Sequence, residues 1–313
     1  MKAILLEKTG PIDNLTHKEI ERPVAKDHEV LVQVKAIGIN PVDYKVRANE
    51  TVLTRIYGAL GPVILGWDIA GTVVAKGDMV AQFELGDQVF GMVNFPGSGN
   101  AYAEFVTAPE DHLAKIPANT SFAEAAATTL AALTALQVLQ HRVKKGNRVL
   151  IHAGSGGVGH FAVQIAKWLG AYVVATSSAK NRDFVLAMGA DEHIDYRAQA
   201  FEEVLTDIDF VFDMFNGDML YNSLTVTKEG GSVVTISTLQ FSEEILALAK
   251  ARKVKVSHFM VRSNGKDMNT LKTLLESGHL KPHISASFAF DDMAKAHEQL
   301  ESGRTVGKVV VTV

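Results

Sequence analysis

The chain has 313 residues, 47% of them apolar and 21% charged, with a formal net charge of −4. At this length one hydrophobic core has usually stopped growing, so two domains are expected. The absence of cysteine excludes disulfides, thiolate zinc sites and a cysteine nucleophile together, and scattered basic residues offer no footprint for a nucleic acid.

From the amino terminus, residues 3–6 are apolar and Glu7 ends the run, too early for the apolar stretch of a signal peptide. No segment approaches the roughly 18 apolar residues of a membrane span, and a cytoplasmic protein is expected. Short apolar runs at 2–6, 29–37, 72–75, 88–92 and 103–107 are separated by turn residues. Residues 29–35 alternate polar and apolar, the mark of a strand with one wet face. The first third therefore reads as mostly antiparallel β. Ser121 and Glu124 then form a capping box ahead of an alanine-rich helix over 125–139. Strands at 149–152, 172–176, 193–194, 210–213, 232–236 and 254–259 alternate with helices. They are too apolar for a wet face, which implies a parallel sheet covered by helices. The tail carries a helix near 268–277, a short strand at 288–290, a helix over 291–301 and a strand over 307–313.

The strongest chemical signal lies between His152 and Phe161. Gly154, Gly156 and Gly159 follow an apolar strand and open a helix, the context in which G-x-G-x-x-G marks a dinucleotide site. Val158, Phe161, Ala162, Ile165, Ala166 and Leu169 trace one helical face. Glycines let the backbone approach a pyrophosphate, and the N–H groups of Ser155, Gly157 and Val158 would face it at the helix start. A bare strand-turn-helix corner is the alternative, but a corner needs one glycine and this turn has four in six residues. After the next strand comes Thr176-Ser177-Ser178-Ala179-Lys180-Asn181-Arg182, with no acid to prefer a free ribose 2′-hydroxyl. Hydroxyls and Lys180 suit a 2′-phosphate, although a solvated basic loop has the same composition.

The segments Ala36 to Tyr44, Gly66 to Gly71, Gly86 to Gly91 and Ala101 to Phe105, with Glu298 to Glu301 and Gly307 to Val310, occur in one order. Together they resemble the medium-chain dehydrogenase/reductases over nearly the whole chain. Asn40 stands where the zinc alcohol dehydrogenases of that group carry a cysteine ligand. Gly66-Trp67-Asp68 replaces their Gly-His-Glu, and their structural-zinc lobe is missing. The pattern is similar to the zinc-free quinone oxidoreductases. That resemblance implies an α/β protein, with a GroES-like, mostly β catalytic domain (1–122 and 263–313) and a Rossmann domain (123–262). It implies NADPH as cofactor, no metal, a quinone substrate and a homodimer. It assigns Asn40 and Tyr44 to catalysis, Thr134 and Asn40 to the nicotinamide side, Lys180 and Tyr196 to the 2′-phosphate, and Gly307 and Lys308 to the cofactor.

An amide or a phenol is also chemically sensible as a donor to an oxygen gaining charge. Equally, Asn40 before Pro41 suits a turn without a ligand, Tyr44 suits plain packing, and Asp43 suits backbone bonding. Among the histidines, Pro282 separates His279 from His283, His297 shares a helical face with Met293, Ala296 and Leu300, and His152 ends a strand. The rival activities are reduction of an alkenal or enone double bond and, less favoured, an NADPH-binding structural or RNA-binding role of crystallin type. A zinc alcohol dehydrogenase with replaced ligands would require bound metal.

Overall fold

A computed structural model describes residues 1–58, 60–215 and 217–313, and the chain divides into two compact units: Met1–Leu133 with Val261–Val313, and Thr134–Met260. In chain order the first unit holds β1 (Lys2–Leu6), β2 (Leu15–Glu19), β3 (Glu29–Ile39), α1 (Pro41–Ala48), α2 (Glu50–Tyr57), β4 (Val63–Ile64), β5 (Asp68–Lys76), β6 (Gln88–Met92), β7 (Phe105–Pro109), β8 (Leu113–Lys115) and α3 (Phe122–Ala127). Helix α4 (Leu130–Leu139) carries the chain into the second unit. There follow β9 (Arg148–Ile151), α5 (Gly159–Trp168), β10 (Tyr172–Ser177), α6 (Arg182–Ala187), β11 (Glu192–Asp195), β12 (Ile208–Asp213), α7 (Asp218–Val226), β13 (Thr227–Thr235), α8 (Glu243–Ala251) and β14 (Lys255–His258). The chain then returns to the first unit with α9 (Gly265–Glu276), β15 (Ile284–Ala289), α10 (Met293–Glu301) and β16 (Lys308–Thr312).

The first unit is built on a sheet in the order β15-β16-β3-β5-β6-β8, with β7 also paired to β3. The β15–β16 pair is parallel and the other pairings are antiparallel. Its core includes Ile37, Ile39, Trp67, Ile69, Phe90 and Met92. Helix α3 packs on β3, β5 and β16, so the boundary falls after Leu133 and not at residue 122. The helix expected over 125–139 is two helices. The Thr128 and Thr129 hydroxyls donate to the carbonyls of Glu124 (2.8 Å) and Ala126 (2.9 Å), and Leu130 N donates to Asp68 Oδ1 at 3.0 Å. Polar groups thus replace the helical ladder at the join. Helices α1 and α2, absent from the β-rich reading of this stretch, start at asparagines. Asn40 N donates to Asp43 Oδ2 (2.5 Å), and Val52 N donates to Asn49 Oδ1 (3.1 Å).

The second unit is a parallel sheet in the order β11-β10-β9-β12-β13-β14. The chain winds one way from β9 and then the other way from β12, so its direction reverses between these two strands. That is the arrangement of doubly wound dinucleotide-binding sheets, whose ligands lie outside the carboxyl ends of the strands at the reversal. Leu150, Val174, Val211 and Val233 are buried, with α7 and α8 supplying Leu220, Leu224 and Ile245. No described helix is long and apolar enough to cross a membrane.

Candidate active site

At the carboxyl end of β9 the chain makes the glycine-rich turn. Gly154 N donates to Thr176 O (2.8 Å) and Gly156 N to Ala153 O (2.8 Å). A Cβ on Gly159 would lie 2.0 Å from Ala153 O, so only glycine lets α5 start this close to the strand. A Cβ on Gly156 would meet nothing tighter than Ala153 O at 3.2 Å. That contact is tight, and Ala153 would have to yield by a few tenths of an ångström, far less than the clash a side chain would make at Gly159. Among the described residues, the N–H groups of Ser155, Gly157 and Val158 have no backbone acceptor. They sit half-exposed at the start of α5, where the helix dipole favours an anion.

Beside that turn, at the end of β10, Ser177 and Ser178 are buried and Lys180 is exposed. Tyr196, 52% exposed, is tied to the same strand end by its N–H to Ser177 O (3.3 Å). Three further residues, which the sequence did not mark, join them. Asn181 Nδ2 donates to Ser155 Oγ (2.9 Å), His193 Nε2 pairs with Ser177 Oγ (2.8 Å), and the Arg197 guanidinium stands 5.6 Å over the Tyr196 ring. Asp195, on β11, accepts from Arg197 N through Oδ1 at 3.1 Å. Burial lowers the pKa of His193, and the positive charge of Arg182 adds to the effect.

His152, whose part in the site was open, is core. Ser223 Oγ donates to Met219 O (2.8 Å) and so accepts from His152 Nε2–H (3.0 Å), which leaves Nδ1 to accept from Thr176 Oγ1 (3.2 Å). Burial lowers its pKa to about 3 and keeps the ring neutral.

In the first unit, Asn40 is 1% exposed and its amide is held at both ends: Lys308 Nζ donates to Oδ1, and Nδ2 donates to Asp68 Oδ2 at 2.7 Å. The structure does not present Lys308 to a ligand. The side chain is 2% exposed and its ammonium also donates to Ile39 O (3.0 Å). A buried ammonium persists only with such acceptors. Burial lowers its pKa against the opposing pull of Asp68 and Asp43, and burial raises the carboxyls of both aspartates. Gly307 answers to the backbone, with φ +68° and His283 O only 2.2 Å from where a Cβ would stand. Tyr44 lies half-buried on α1; burial raises its phenol pKa and nearby Glu301 adds to the rise, so the hydroxyl keeps its proton. Asn40 caps α1 and Tyr44 lies on it, whereas Thr134 is buried on α4 in the second unit. His297 is packed core, as its helical face indicated: Nε2 meets Tyr102 Oη at 2.9 Å, and burial lowers its pKa to about 3.

Comparison with known proteins bears on this geometry. Residues 26–118 match the family described as alcohol dehydrogenase GroES-like domain, and residues 188–311 the family described as zinc-binding dehydrogenase. Two plant proteins are each 34% identical over 99% of this chain and 79% of their own length. They are the 2-methylene-furan-3-one reductase of Solanum lycopersicum and the chloroplastic NADPH-dependent alkenal/one oxidoreductase of Arabidopsis thaliana. The quinone oxidoreductase of Coxiella burnetii superposes with a TM-score of 0.93 at 35% identity, over 100% of this chain and 99% of that one. The chain belongs to the medium-chain dehydrogenase/reductase family, in its quinone oxidoreductase branch. It is an oxidoreductase with a GroES-like unit and a Rossmann-like parallel-sheet unit.

For this medium-chain dehydrogenase/reductase, the zinc in the matched family's description meets an unsuitable donor set. Asn40 and Asp68 are hydrogen-bonded to each other, and an ammonium fills the remaining acceptor of Asn40. A second cation would be repelled there. Among the described residues, no three His, Cys, Asp or Glu side chains converge to hold a metal.

Proposed function

We propose that this chain is an NADPH-dependent reductase that passes hydride to quinones without zinc. Carrying this reading is the pairing of an anion-ready turn at Ser155–Val158 with a second-strand loop that offers Ser177, Ser178 and Lys180 and no acid. NADPH, when bound, supplies the hydride. The N–H groups of Ser155, Gly157 and Val158 hold the pyrophosphate, and Gly154, Gly156 and Gly159 give it room. Lys180, Tyr196, Ser177 and Ser178 hold the 2′-phosphate, with Arg197 as a further cation and Asn181 fixing Ser155. Thr134 takes the nicotinamide side. Tyr44 keeps its proton at neutral pH and donates to the oxygen that gains charge. Asn40, clamped between Lys308 and Asp68, fixes the start of α1 and through it the placing of Tyr44. A cytoplasmic homodimer, formed through the free edge at β14, completes the reading.

The two plant relatives favour a second substrate class, α,β-unsaturated aldehydes and ketones, whose β-carbon is the same kind of hydride acceptor. A panel following NADPH oxidation with quinones, enals, enones and simple ketones, with and without a strong chelator, tests both. Quinones and enones should react, simple ketones should not, and the chelator should change nothing. Activity lost on chelation and restored by zinc would overturn the zinc-free mechanism.

A further inference from the structure

One buried acid in the second unit has no part in the roles above. Asp213 ends β12, and its residue is 0% exposed. Phe212 pairs with Ile151 across β9 and β12, and His152 N donates to Phe212 O (3.1 Å). Asp213 therefore stands beside the glycine-rich turn, at the point where the winding of the sheet reverses. On its other side its register partner is Thr235, the last residue of β13. Phe215 N donates to Asp213 Oδ1 (3.2 Å), and the Thr235 hydroxyl and Met214 N–H lie near enough to favour the charged form. Among the described residues, Oδ2 nevertheless has no hydrogen-bond partner. A carboxyl left this way in a core is costly, and its presence calls for a reason other than stability.

The surrounding bonds suggest one. Ser237 N and Thr238 N donate to Thr235 Oγ1 (3.2 and 3.4 Å), which frees the Thr235 O–H for Asp213. Ser237 Oγ donates to Met214 O (2.7 Å), and Ile236 N donates to Asp213 O (3.2 Å). The segments that leave β12 and β13 are thus fastened to each other around one carboxyl. In a doubly wound sheet the two halves of a dinucleotide lie on opposite sides of the reversal. With the 2′-phosphate half assigned to the β10 side, the β12–β13 side takes the nicotinamide half.

We propose that Asp213, acting with Thr235, is a positioning residue that sets the wall against which the nicotinamide half of the cofactor rests. The proposal rests on the NADPH reading above. It separates the two halves of the ligand, which gives a readout that a general structural role would not share.

The experiment titrates wild type, Asp213→Ala, Asp213→Asn and Thr235→Val with NADPH and with 2′,5′-ADP, which carries the adenosine half and the 2′-phosphate alone. Asp213→Ala should weaken NADPH by about tenfold, the loss of one hydrogen-bonded anchor, and leave 2′,5′-ADP unchanged. Asp213→Asn, which keeps an acceptor for Phe215 N, should restore most of the affinity. Thr235→Val, nearly isosteric, should reproduce the selective loss even if the alanine variant fails to fold. Equal weakening of both ligands, or of neither, in Thr235→Val and in folded Asp213→Ala would overturn the proposal. Failure of wild type to bind 2′,5′-ADP at all would instead strike the cofactor assignment, and the proposal with it.

Discussion

Replacing Asp213 by Asn should make the protein more stable at neutral pH than at acid pH, relative to wild type. The carboxyl is buried, and burial raises its pKa from 3.8 to about 6 against hydrogen bonds that pull it down. Folded protein therefore holds this proton more tightly than unfolded protein does. Between about pH 4 and pH 6 the unfolded chain binds fewer protons, so stability falls as pH rises through that window and stays lowered above it. A difference of about two pKa units at roughly 1.4 kcal/mol each gives a penalty of about 3 kcal/mol at pH 7.5. Asparagine is never charged and escapes it. Urea unfolding of both proteins at pH 4 and pH 7.5 measures the effect. Because the unfolded carboxyl is already partly ionised at pH 4, the stability of Asp213→Asn relative to wild type should improve by about 2.5 kcal/mol between the two conditions, whatever constant offset the buried amide introduces. A difference that does not change with pH would refute the claim that this carboxyl is held at a cost.

Lys180→Ala should weaken NADPH by about 10- to 150-fold, the worth of one charge-assisted hydrogen bond, while NADH barely responds. Because that contact is remote from the hydride, the loss should appear in KM and not in kcat, and an unchanged cofactor preference would show the β10 loop misread. Gly156→Val should abolish tight NADPH binding while the fold survives a small shift of Ala153, whose O and Cβ lie 3.2 and 3.8 Å from the added Cβ; circular dichroism with a binding titration distinguishes this from misfolding. His152 and His297, both lowered by burial to about 3, stay neutral in the fold and become charged on unfolding below about pH 6.5. Each should remove up to about 1.4 kcal/mol of stability per pH unit as pH falls from 6.5 toward 3, and His297→Gln should flatten the acid limb of the stability curve.

Local signals were legible in the sequence wherever neighbours along the chain settle the structure. The Ser121–Glu124 capping box forms as expected, with Ser121 N donating to Glu124 Oε2 at 2.9 Å. The 3.6-residue rhythm after Gly159 and the apolar strands of the parallel sheet are likewise where the pattern put them. What escaped depends on distant partners. The break at Thr128–Thr129 is stabilised by Asp68, sixty-two positions before the amide it accepts from. The family resemblance assigns Lys308 to the cofactor, and no local pattern shows that its ammonium is buried. Its acceptors, Ile39 O and Asn40 Oδ1, lie at the other end of the chain. Asp213 reads as the polar end of a strand, because no spacing rule reveals that Thr235 and Ser237 will close around it.

The composition of the first unit, residues Met1–Leu133 and Val261–Val313, has a consequence for synthesis on the ribosome. Strand β16 pairs with β3, Val309 against Ile39 and Thr312 against Ala36, and β15 then adds to β16. At ordinary elongation rates the amino-terminal partner waits roughly 10–50 s for its mate. During that interval the stretch 36–39 offers unpaired backbone on an apolar strand. The contiguous second unit, Thr134–Met260, emerges whole meanwhile and needs nothing still untranslated. Nascent chains should thus acquire their middle first and their beginning last, which makes the amino-terminal sheet the point at which chaperones or aggregation would intervene.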